Sequence, residues 1–109
     1  MTIPEVQKLT QELLTKHIPN ENWNIQFFEM DKTIGATTHY LTRSIQFDIE
    51  TIKICTYDQM QVIIKHEVAH VIAFTKYGCT DHSKEWQDTC KVDLKEMPIL
   101  KIVINKMNI

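Results

Sequence analysis

Between Tyr57 and Tyr77 no glycine or proline interrupts a run of residues whose apolar members recur at helical spacing. Met60, Ile64, Val68, Val71 and Ile72 form a wide apolar stripe, and Gln61, Lys65 and Lys76 leave only a narrow polar one. The pattern predicts a helix buried on most of its girth. Asp58 stands in the first turn, where a carboxylate suits the positive end of the helix dipole, and Gly78 is placed to end the segment.

That helix carries His66-Glu67-Val68-Ala69-His70, a match to HExxH. Four residues turn a helix by about 400°, so the two imidazoles differ in direction by only about 40° and can meet one ion. Glu67 is offset by about 100°, where it can act on water that the ion would activate without itself being a ligand. Chance produces this pattern in roughly a few of every thousand chains of such length. On so apolar a helix, however, the chance reading buries three ionisable groups along one side at a desolvation cost, which a bound metal removes.

Catalytic zinc takes three protein ligands and keeps a fourth position for water. The metzincin spacing would need a glycine at Ala73 and a histidine at Lys76, so that class is excluded. His82 is the leading third ligand, because a turn at Gly78 lets the chain double back and present the start of the next helix to the ion. Asp81, Glu85 and Glu96 are acidic rivals. His17 and His39 read as ordinary surface or strand residues, and Trp23 and Trp86 as core anchors. Tyr40 and Tyr77 are candidate donors to an oxyanion.

Elsewhere the reading is of short elements. Pro4 to Lys16 places Val6, Leu9, Leu13 and Leu14 at helical spacing, with Thr2 as N-cap and Pro19-Asn20 as the stop. Trp23 to Glu29, Thr37 to Leu41 and Ser44 to Ile49 read as strands, with turns at Gly35 and Thr42-Arg43, giving a small sheet that is an antiparallel meander or mixed. After Gly78, Thr80 or Asp81 is the expected cap of a helix from about Ser83 to Glu96, stopped by Pro98. The apolar Ile99 to Ile104 would be an added strand, a docking segment or a partner contact. The 109 residues suit one domain.

Composition adds exclusions. A net charge of -2 argues against a protein held on nucleic acid by bulk electrostatics. Lys84, Lys91, Lys95, Lys101 and Lys106 make the last third basic, which a solvated face explains. The N-terminal sequence lacks signal-peptide character and no run has the length of a spanning helix, so a cytoplasmic protein with no membrane contact is expected. Cys55, Cys79 and Cys90 suit reduced thiols, a Cys79–Cys90 bridge being the alternative.

The segment His66 to Gln87, HEVAHVIAFTKYGCTDHSKEWQ, resembles the metal-binding core of the SprT-like, or Spartan-type, metalloprotease domain. That family follows HExxH with a short variable loop, then a third histidine, a Gly/Pro-like pair, an acidic residue and an aromatic. Here the stretch is His82-Ser83-Lys84-Glu85-Trp86, and Ser83-Lys84 departs from the small pair. A first helix, a strand led by Trp23, Gly35 and an Ile-rich strand at Ser44 to Ile49 follow the family's order. No CxxC pair follows in these residues, so the zinc ribbon of some relatives is not expected here.

The resemblance implies a zincin-like α+β fold: an N-terminal helix, a three-stranded sheet, the HExxH helix and a following helix. It also implies a zinc-dependent peptidase acting on protein or peptide, with DNA-associated proteins as substrates in the best-known members. Zn2+ on His66, His70 and His82, with Glu67 as general base, is the expected site. The alternative is a non-catalytic zinc-stabilised binding module of the same fold, although structural zinc prefers four protein ligands and no fourth is evident.

Overall fold

The computed structural model describes residues 1–30 and 34–95. Glu96, the Pro98 stop and the Ile99 to Ile104 segment lie outside them. Helix α1 spans Ile3–His17 and begins in a capping box, in which Thr2 accepts from the Glu5 amide and Glu5 accepts from the Thr2 amide. Val6, Thr10 and Leu14 recur at four-residue spacing on its buried face.

Strands β1 (Asn24–Phe28), β2 (Ala36–His39) and β3 (Ser44–Asp48) form a mixed sheet in the order β1-β3-β2. β3 pairs parallel with β1, setting Phe27 against Phe47, and antiparallel with β2, setting Thr38 against Ile45. Of the two expected arrangements the mixed one is found, and the meander is not. Its cause lies at the tight turn over Tyr40 to Arg43, where Arg43 takes a positive φ of 49° and its carbonyl accepts from the Asn24 amide at 2.8 Å. The returning strand therefore docks beside β1 and becomes central, with Ser44, Ile45, Phe47 and Asp48 all buried.

Asp48 ends that strand one residue earlier than expected. Its carboxylate accepts from the Thr51 amide at 2.9 Å and the Thr51 hydroxyl at 2.6 Å, capping a helix α2 over Ile49–Ile54. It also accepts from the Met30 amide at 2.8 Å, tying the end of β1 to the end of β3.

Helix α3 spans Tyr57–Tyr77. Thr56 and Gln59 form its capping box, and Gly78 closes it in the left-handed conformation at φ 67°. Met60, Ile63, Ile64, Val68, Val71 and Ile72 are buried in one core cluster with Val6 of α1 and with Ile45 and Phe47 of β3. Each such side chain contributes roughly 1.5–3 kcal/mol by leaving water. No helix among the described residues is long and apolar enough to cross a membrane.

The last helix differs from expectation at both ends. Helix α4 covers Lys84–Asp88 with Ser83, not Thr80 or Asp81, at its N-cap. A π-helical turn follows over Thr89–Asp93, closed by the Leu94 amide on the Thr89 carbonyl at 3.2 Å. Lys95, at φ 52°, then leaves the helical region. All three cysteines are free, so the Cys79–Cys90 bridge is not formed.

Candidate metal centre

His66, Glu67 and His70 project from the middle of α3, where the helix packs against β2 and α4. His70 is 8 % exposed and Glu67 5 %, while His66 is half-buried. Past Gly78, the loop to Ser83 folds back over the helix. Asp81 holds this loop: its carboxylate accepts from the Ser83 amide at 3.0 Å and from the Cys79 thiol at 3.4 Å. Gln87 reaches back from α4 and donates to the His82 carbonyl at 2.9 Å. The exposed His82 is thus carried to the two helix histidines.

The three Nε2 atoms lie 3.3 Å (His66 to His70), 3.1 Å (His70 to His82) and 3.2 Å (His66 to His82) apart. Three corners of a tetrahedron whose centre-to-nitrogen arms are about 2.0–2.1 Å stand about 3.3 Å from one another, so the spacing fits a single zinc-sized ion. This is the one group of three or more potential metal-ligating side chains among the described residues whose ligand atoms converge. The donor chemistry agrees. Burial, and then the neighbouring His66 and His82, push His70 down to about 3, so its ring stays neutral and its lone pair available.

Asp81 and Glu85, the acidic rivals, are drawn elsewhere. Hydrogen bonds from the Ser83 side chain and amide, and from Cys79, hold Asp81 below the usual carboxylate range. Glu85 is lowered by its own backbone amide and then by the Ser83 hydroxyl, which donates to it at 2.9 Å. His39 is exposed on β2 beside Thr37, and His17 lies on α1; neither belongs to the converging group. Tyr77 is 63 % exposed.

Glu67 occupies an unusual environment for a carboxylate. Burial pushes it up to about 8, opposed by the Thr38 hydroxyl, which donates to its Oε1 at 3.4 Å and reaches its backbone carbonyl at 3.5 Å. Tyr40 is pushed up to about 12, by burial and then by Glu67. It remains a hydroxyl donor, to the Thr80 carbonyl at 3.5 Å.

Thr38 carries no sequence signal, because its approach to Glu67 depends on which strand takes the sheet edge. Trp86 is fully buried, as a core anchor should be, but it also touches the rings of His66, His70 and His82. Its position about one helical turn beyond His82 was the available clue.

The model of the SprT-like family matches residues 4–99. Among solved structures, the chain is similar to jannalysin from Methanocaldococcus jannaschii, whose crystal structure is of a metallopeptidase zymogen. The TM-score is 0.66 at 19 % identity, covering 79 % of this chain and 78 % of that one, and at this identity the likeness is one of fold. No curated protein matches the chain significantly.

Proposed function

Since the chain belongs to the SprT-like family, we propose that it is a zinc-dependent metallopeptidase that hydrolyses peptide bonds. The observation that carries this reading is the convergence of three imidazole Nε2 atoms within 3.1–3.3 Å beside a buried carboxylate. His66, His70 and His82 would hold the ion. Zinc bound there would supply Lewis acidity toward water and toward a scissile carbonyl.

The residues of the chain supply the rest. Glu67 follows His66 directly, so its carboxylate stands beside the ligand set rather than within it. It accepts the proton of the attacking water and delivers it to the departing amine nitrogen. The charge of a nearby divalent cation favours the ionised form that this task needs, against the burial that otherwise keeps Glu67 protonated. The Thr38 hydroxyl orients the carboxylate through Oε1. The likeness to a metallopeptidase zymogen supports the reading, and DNA-associated proteins are the substrate class proposed from the sequence resemblance.

The test compares wild type with Glu67→Gln in metal content and in peptide-bond cleavage, with and without single-stranded DNA. The variant should retain one zinc per chain and lose cleavage by about 10²-fold or more. Cleavage at near wild-type rate would remove Glu67 from the mechanism. Metal without cleavage in the wild type, on any protein substrate, would instead favour a binding module.

A further inference from the structure

One side chain contacts every ring of the proposed metal centre. The Trp86 indole lies 5.3 Å from the His70 ring, nearly parallel to it at 24°. It meets His66 at 4.8 Å and His82 at 4.6 Å, edge to face in both cases. Trp86 is wholly buried, and its Nε1 donates to the His66 carbonyl at 3.3 Å, fastening the indole to the α3 backbone at the first of the three histidines.

Such a contact has work to do. Helix geometry alone brings His66 and His70 to one face, but it leaves their ring torsions free, and His82 comes from a loop and is exposed. Three imidazole Nε2 atoms held 3.1–3.3 Å apart around one point crowd polar atoms together, an arrangement that without a cation persists only where the surrounding packing dictates it. Among the described residues, the aromatic rings against His82 are those of His66, His70 and Trp86. The indole is therefore the contact that does not itself need to be positioned by the ion.

We propose that Trp86 is a positioning residue of the metal centre, a rigid plate that keeps the three imidazoles converged in the metal-free chain and so sets metal affinity and coordination geometry. The proposal rests on the three-histidine reading above. It separates the site into two parts: the histidines that bind, and an indole on α4 that pre-arranges them. Aliphatic replacement would leave the rings to reorient each time a metal enters, whereas phenylalanine would keep one aromatic face and lose the Nε1 hydrogen bond.

Cobalt(II) titration of the metal-free protein tests it, following the visible bands of the bound ion, with far-ultraviolet circular dichroism to monitor the fold. Wild type should bind one equivalent with intense bands of a four-coordinate site. Trp86→Leu should bind about 10–100-fold more weakly with altered bands, the range expected when a residue that orients a ligand is lost. Trp86→Phe should recover part of both. Folded variants with wild-type affinity and unchanged bands would overturn the proposal while leaving the metal centre intact.

Should the variants not fold, nuclear Overhauser contacts in the unmutated, metal-free protein decide the matter. Contacts from the Trp86 indole protons to all three histidine rings are expected, and their absence would overturn the proposal. A wild type that takes up no cobalt, or takes it up equally after His66→Ala, would fell the metal-centre reading and the role of Trp86 with it.

Discussion

Glu67 and His70, three positions apart on one helix, are both held in their neutral forms by burial, and the two effects oppose each other across pH. For Glu67 the folded pKa lies above the unfolded one, so its contribution to stability is complete below about pH 4.5 and is lost as pH rises to about 8. For His70 the folded pKa is depressed, so its contribution is present above about pH 6.5 and is lost as pH falls toward about 3. Between about pH 6.5 and 8 the loss at Glu67 outweighs the small remaining gain at His70 and at His17, whose pKa burial also lowers. The metal-free protein should therefore lose on the order of 2 kcal/mol over that window. In urea unfolding at several pH values, Glu67→Gln should flatten the fall. So should zinc, since a cation favours the carboxylate. An equal slope in the variant would show that another group is responsible.

At the scale of elements, the stops and starts of α3 do most to place the site. Gly78 adopts φ 67° and a Cβ there would meet nothing within 4 Å, so the penalty of Gly78→Ala is one of backbone conformation alone. That substitution should cost about 1 kcal/mol and Gly78→Asn less, because asparagine tolerates the left-handed region. It should also weaken zinc binding, measured by competition with a chelating dye, because this turn directs the chain back to His82. Thr56→Ala, which removes the cap at the far end, should cost about 1 kcal/mol and leave zinc affinity unchanged.

Short-range signals made α1 and α3 legible in the sequence: Thr2 as N-cap, an unbroken apolar stripe, and a terminal glycine. The strand order was not legible, since whether β3 docks beside β1 depends on residues about twenty positions apart. Helix α2 was hidden because Ile49, Thr51, Ile52 and Ile54 are β-branched, and the Asp48 cap outweighs their strand preference. His66 and His70 were placed together by helical period alone. Bringing His82 to them needed a loop held by Asp81, Cys79 and Ser83, and the contact of Trp86 with all three rings depends on that loop as well.

For the molecule as a whole, the proposed ion would join α3 to a largely exposed loop that begins only after the core helix has ended, adding a cross-link between the two. Chelation should lower Tm by on the order of 10 °C, and zinc should restore it, in wild type and Glu67→Gln. In His82→Ala the chelation effect should be much smaller, and Glu85→Ala should behave as wild type. Whether three imidazoles grip one cation and leave it a position for water is read from X-ray absorption at the zinc edge of the purified protein. One zinc with three imidazole nitrogens and one further oxygen at about 2.0–2.1 Å is expected. A sulfur ligand, a fourth protein nitrogen, or a spectrum unchanged in His82→Ala would contradict it.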